Sequence, residues 1–114
     1  MITVYGIRNC DTVRKARAWL AEQGLEYRFH DYKKEGVPAD RLNDWLEQFG
    51  WETVINRRGM TWRRLPEEER QSMDGKGARA AAEANPSLIR RPIVEHDGKT
   101  LIGFDADEWQ EALK

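Results

Sequence analysis

The chain has one cysteine, Cys10, in 114 residues, so no disulfide can close within it. A reducing, cytoplasmic setting is therefore expected. Apolar runs reach only about five residues, far short of the roughly 20 that a membrane-crossing helix needs. Neither sign of charge is in excess: 19 Lys+Arg stand against 20 Asp+Glu. This balance implies no general affinity for polyanions, so neither nucleic acid nor a membrane surface is an expected partner. The start, MITVYGIRNC, lacks a basic region followed by an apolar stretch, and no signal peptide is expected. His30 and His96 are isolated, no Cys/His/Asp/Glu cluster has ligand spacing, and no metal site is expected. Gly75-Lys76-Gly77 lacks the rest of a phosphate loop.

What is present is enough for one folded domain. Hydrophobic residues make up 39% of the chain and include five Trp, which excludes a disordered polymer. Residues 2–7, ITVYGI, read as a buried strand. A helix over 12–23 follows, with Val13, Ala16, Trp19 and Leu20 on one face and Gly24 as its stop. Leu25, Tyr27 and Phe29 then alternate with Glu26, Arg28 and His30 as a second strand, parallel to the first because a crossover helix joins them. The middle is helical. Residues 38–49 place Leu42, Trp45, Leu46 and Phe49 on one face, Pro66 precedes three glutamates as a helix start, and residues 77–84 are good helix formers. Residues 92–95 and 100–104 are strands joined through Asp97-Gly98, a strong hairpin signal. Asp105 with Glu108 is a capping box for a last helix. The order β-α-β, helices, β-β-α is that of an α/β, thioredoxin-like domain. It has a βαβ half (1–32), an all-helical insertion (about 37–86) and a ββα half (87–114).

Cys10 falls between the first strand and the first helix. There the free N–H groups and the positive end of the dipole favour a thiolate, the reactive form. Arg8 and Arg14 add positive potential, while Asp11 opposes it. Position 13 is Val, so no Cys-x-x-Cys exists and an outside thiol must resolve any adduct. Arginine pairs occur at 57–58, 63–64 and 90–91. Arg63, Arg64 and Arg90 read as solvated surface. Arg91 precedes Pro92, which holds its backbone extended, in a loop that faces the cysteine of a thioredoxin-like fold. Among the tryptophans Trp62 is the one expected to be exposed.

These residues give the chain a resemblance to a known family. Tyr5-Gly6-Ile7-Arg8-Asn9-Cys10-Asp11-Thr12-Val13-Arg14-Lys15-Ala16, Ile55-Asn56-Arg57-Arg58-Gly59-Met60-Thr61-Trp62-Arg63 and Ile89-Arg90-Arg91-Pro92-Ile93-Val94 resemble the ArsC-like family, and fit its YffB branch best. That family holds arsenate reductases and Spx-type transcription regulators. The resemblance implies that Cys10 is the nucleophile, that one of Arg57 and Arg58 and also Arg91 hold an anion, and that Pro92 is a cis proline. Arg8, Asn9 and Arg14 flank the nucleophile. Glutathione is implied as co-substrate, with a small disulfide or oxyanion as substrate and a protein thiol as a further partner. Glutathione/glutaredoxin-coupled arsenate reductases carry a third arginine after the hairpin. Here Leu101–Asp105 has none, which removes a charge-assisted partner worth about 1.5–3 kcal/mol.

Three functions follow, of which the first carries the most weight and the other two carry equal weight. The first is a glutathione-dependent thiol reductase. The second is arsenate reduction, weakened by the absent arginine. The third is an Spx-like module that contacts RNA polymerase, in which Cys10 plays no part. A structural domain with an inert cysteine is the remaining alternative.

Overall fold

Strand β1 (Ile2–Gly6) forms where β-branched and aromatic side chains fit a pleated, buried surface. The computed structural model describes every residue from Met1 to Lys114. Helix α1 (Asp11–Glu22) leads into β2 (Tyr27–Asp31), which runs parallel to β1 with Val4 beside Phe29. Strand β3 (Ile93–His96) pairs antiparallel with the other edge of β1, and β4 (Lys99–Ile102) pairs antiparallel with β3. The sheet order is β2-β1-β3-β4. With its helices this mixed sheet is a thioredoxin-like α/β fold.

Contacts divide the chain into two units, Met1–Glu35 with Arg91–Lys114, and Gly36–Arg90. The first unit holds the sheet, α1, the single turn α2 (Tyr32–Glu35) and the last helix, Ala106–Leu113. Alternation along β1 sends Ile2 and Val4 to one face, where they join Ala16 and Leu20 of α1, Val94 of β3, and Trp109 and Leu113. Trp109 is wholly buried: the Phe104 ring meets it edge-on at 4.9 Å, Trp19 lies at 6.2 Å, and its Nε1 donates to the Gly103 carbonyl at 3.1 Å. Asp105 accepts from the Glu108 N–H at 3.1 Å, the forward half of the expected capping box. In the hairpin Asp97 (φ 49°) and Gly98 (φ 77°) are both left-handed, as a two-residue primed turn requires.

The second unit is built from α3 (Ala39–Phe49), α4 (Trp51–Val54), α5 (Met60–Arg63), α6 (Glu67–Gln71), α7 (Gly75–Ala84) and a 3₁₀ turn at Pro86–Leu88. The last helix of the chain is accordingly α8. Leu42 and Trp45 of α3 are fully buried, whereas Leu46 and Phe49, expected on the same face, are half-buried. Helix α7 begins two residues before the expected 77, because Asp74 caps it by accepting from Gly77 N–H at 2.8 Å. Helices α4 and α5 are single turns, too short to show a period in sequence. Trp62 corrects its expectation: it is half-buried, with its ring stacked on Trp51 at 6.2 Å.

One close approach governs how α1 leaves the sheet. A Cβ on Gly6 would stand 2.9 Å from Val13 Cγ2. Valine is stiff at χ1 and Val13 is fully buried, so it cannot swing aside. Gly6→Ala is expected to cost about 1–3 kcal/mol by overpacking, read as a lowered denaturation midpoint. An unchanged midpoint would show that α1 shifts freely.

Candidate functional site

Cys10 occupies the N-cap of α1 with extended backbone (φ −143°, ψ 126°), and its carbonyl accepts the first helical bond from Arg14 N–H at 2.9 Å. No side-chain cap bond closes the helix, so the Val13 and Thr12 N–H groups, at the places a cap normally serves, favour negative charge on the sulfur. Arg91 adds to this from across the sheet: its guanidinium hydrogen-bonds the Cys10 side chain and contributes its charge. Burial pushes the half-buried thiol up. The Val13 N–H, Arg91 and the Thr12 N–H together outweigh it, and the thiol lies below its ordinary value. The arrangement places a thiol lowered below its ordinary value beside a guanidinium.

Arg91 is brought there by the edge of β3. The Arg91–Pro92 peptide is cis, Pro92 is buried, and its carbonyl accepts from Gly103 N–H at 2.8 Å. The two arginines flanking Cys10 in sequence serve other groups. Arg8 Nε lies 3.8 Å from Asp31 Oδ2, a carboxylate only 6% exposed whose Oδ1 accepts from Lys33 N–H. Arg14 pairs with Asp11 and donates to Asn9 Oδ1 at 3.1 Å. Arg8 and Arg14, expected from sequence to add positive potential at the thiol, are thus engaged by Asp31 and by Asp11 and Asn9. Arg57 and Arg58 belong to the second unit. Arg57 lies over the Trp51 ring at 5.5 Å, and Arg58 N–H donates to Asn56 Oδ1 at 3.2 Å. Their segment is anchored by Asn56 N–H on the Leu88 carbonyl and Arg90 N–H on the Val54 carbonyl, both at 2.8 Å. After the hairpin, Phe104 packs on Trp109 and Asp105 caps α8, so this stretch is devoted to packing and capping.

Sequence reading did not single out Tyr32. It is 2% exposed, and its hydroxyl has no hydrogen-bond partner. Burial, then the neighbouring Tyr5, push its phenol well above the usual range, while Arg91 acts in the opposite sense. Tyr5 donates to Glu95 Oε1 at 2.8 Å, and the His30 ring lies 5.2 Å from Tyr5 and 6.0 Å from Tyr32. A tyrosine just after a strand looks like any core aromatic in sequence, and only its place beside Arg91 sets it apart.

A thioredoxin-like sheet with a cysteine at the N-cap position of its first helix, and an arginine ahead of a cis proline acting on that sulfur, defines a class of thioredoxin-like proteins. Within that class the ArsC family model matches residues 5–112, and the chain belongs to that family. The solved structure of the YffB (PA3664) protein is similar over all of both chains, at 43% identity and a TM-score of 0.95. An arsenate reductase-related protein from Brucella melitensis is 47% identical over 98% of this chain and 92% of its own, with a TM-score of 0.78. The global transcriptional regulator Spx of Listeria innocua is 29% identical over 99% of this chain and 87% of its own length.

Proposed function

We propose that this member of the ArsC family is a glutathione-dependent thiol reductase with Cys10 as its nucleophile. The observation that carries the reading is the Cys10 thiol, lowered at the α1 N-terminus by Val13 N–H and Arg91, with no second cysteine in the chain. The Cys10 thiolate attacks one sulfur of a disulfide. A Cys10–S bond forms, the S–S bond breaks, and the departing thiolate carries off the electron pair and takes a proton from water. A glutathione thiolate then attacks the sulfur joined to Cys10, or the Cys10-bound sulfur of glutathione itself. This releases a disulfide and restores the Cys10 thiolate. Arg91 holds a carboxylate of glutathione or the charge of the substrate, and the family resemblance assigns a second cation to Arg57 or Arg58. The cytoplasm, where glutathione is reduced, suits this chemistry.

The test is the intact mass of the reduced protein after exposure to oxidised glutathione across a pH series, with Cys10→Ser as control. One glutathionyl adduct is expected to form below the ordinary thiol range, to be absent from the control, and to be released by reduced glutathione. No adduct at neutral pH would overturn the reading. Arsenate reduction is the second reading, supported by the relatedness to the Brucella melitensis protein and opposed by the lack of an arginine in Leu101–Asp105. Arsenate-dependent oxidation of glutathione by the protein would favour it. The similarity to Spx supports a third, a partner-binding role that would survive Cys10→Ser unchanged.

A further inference from the structure

Asp31 is the one charged residue that the fold buries, 6% exposed at the end of β2 and beside Gly6, the last residue of β1. A buried carboxylate is costly unless it is paired or hydrogen-bonded. Here Oδ1 accepts from Lys33 N–H at 3.0 Å, and Oδ2 faces Arg8 Nε at 3.8 Å. Arg8 also lies against Phe29 of β2, its Cζ 5.9 Å from the ring centroid. Its side chain is nevertheless 62% exposed, and it stands in the loop between β1 and α1, two residues before Cys10. Two residues span at most about 7 Å of chain, so a released Arg8 side chain could reach a group bound at the sulfur. Arg14, on the other side of Cys10 in sequence, is taken up by Asp11. Each of these two cations beside the nucleophile thus has its own carboxylate.

We propose that Asp31 is a positioning residue that holds Arg8 off the substrate and thereby sets the charge preference of the Cys10 site. The carboxylate turns Arg8 toward β2 and offsets its charge. A released Arg8 would give a compact, multiply charged anion a second guanidinium besides Arg91. With Arg8 held, the site favours a disulfide whose charges are few or of both signs, as those of glutathione are. This rests on the thiol-exchange reading above and names its substrate class. The reacting step is the one already given: the Cys10 thiolate forms a bond to one sulfur, and the other leaves with the electron pair.

The probes are iodoacetate and iodoacetamide. Both alkylate a thiolate with loss of iodide, which takes the electron pair, and they differ by one negative charge. The ratio of their rates at Cys10 therefore reads the local charge whether or not the protein acts on disulfides. Asp31→Asn keeps the volume of the side chain and its acceptor for Lys33 N–H. It is expected to raise the iodoacetate-to-iodoacetamide ratio roughly fourfold at low salt, and to lose most of that rise at about 1 M salt. In an Arg8→Gln background the same change should move the ratio by less than about twofold, because the cation that it releases is gone. Arg8→Gln alone, at an exposed side chain that the fold does not need, should lower the ratio by less than about twofold, since Asp31 already offsets that charge. A ratio unmoved by Asp31→Asn, or moved equally with and without Arg8, would overturn the assignment, as would a large fall on Arg8→Gln alone. Reaction with hydroxyethyl disulfide and oxidised glutathione is followed in parallel. If wild type ignores both, the thiol-exchange reading fails, and the alkylation ratio still decides the role of Asp31.

Discussion

In an Arg91→Met protein, Cys10 is expected to react with a neutral alkylating agent at pH 7 roughly tenfold more slowly than in wild type. Methionine keeps much of the length and apolar stem of the side chain while removing its charge and its donors. Arg91 lowers the thiol by its hydrogen bond and its charge, alongside the Val13 and Thr12 N–H groups. A hydrogen bond to a charged group is worth about 1.5–3 kcal/mol, and the partial exposure of the sulfur places the effect toward the lower end. The sign follows from what remains. Burial pushes the thiol up, and without Arg91 it is opposed only by the helix N–H groups, so the thiol rises. The rate–pH profile should therefore move to higher pH, while its alkaline plateau stays as high as in wild type or higher, because a more basic thiolate is the better nucleophile. A profile that keeps its midpoint but loses its plateau would show that Arg91 acts by shaping access to the sulfur. Arg91→Lys, which keeps the charge, should restore part of the shift.

Trp109→Ala should lower the stability of the protein by about 3–5 kcal/mol, a large part of the 5–15 kcal/mol typical of a domain. The side chain is wholly buried in the cluster that joins Ile2 and Val4 of β1 to Leu20 of α1, and two aromatic rings lose their edge contact with it. The Gly103 carbonyl also loses its indole donor. Chemical denaturation is the measurement, and a loss below about 1 kcal/mol would mean that Trp19 and Phe104 collapse into the space. Tryptophan→Phe should recover part of the loss by refilling the volume without the hydrogen bond.

The two results bear on different layers of the molecule. The Trp109 cluster holds α1 and α8 to one face of the sheet, and α1 carries Cys10 at its first turn. Damage to that cluster changes everything at once, whereas Arg91→Met is expected to leave the fold and change only the thiol. Gly6 links the layers, because the space it leaves for Val13 sets how closely α1 follows β1.

The sequence by itself determined the order of the major elements, since each carries a local signal. A β-branched, apolar run marked β1 and period-two alternation marked β2, apolar spacing marked α1 and α3, good helix formers marked α7, and Asp97-Gly98 and Asp105 marked the hairpin and the α8 cap. It also pointed to Cys10, because a cysteine between a strand and a helix start is a statement about local backbone. What it lacked was any distance between residues far apart in the chain. Proximity in sequence suggested Arg8 and Arg14 as the charges acting on the thiol, yet Asp31, Asp11 and Asn9 engage them. Trp62 looked exposed until Trp51, eleven places away in sequence, stacked on it. That the loop of Arg91 faces Cys10 was expected through the fold class alone, whereas the isolation of the Tyr32 hydroxyl was decided only by the tertiary structure. Sheet pairing sets Tyr27 beside Ile2 and Ile93 beside Tyr5, and no local pattern records such meetings.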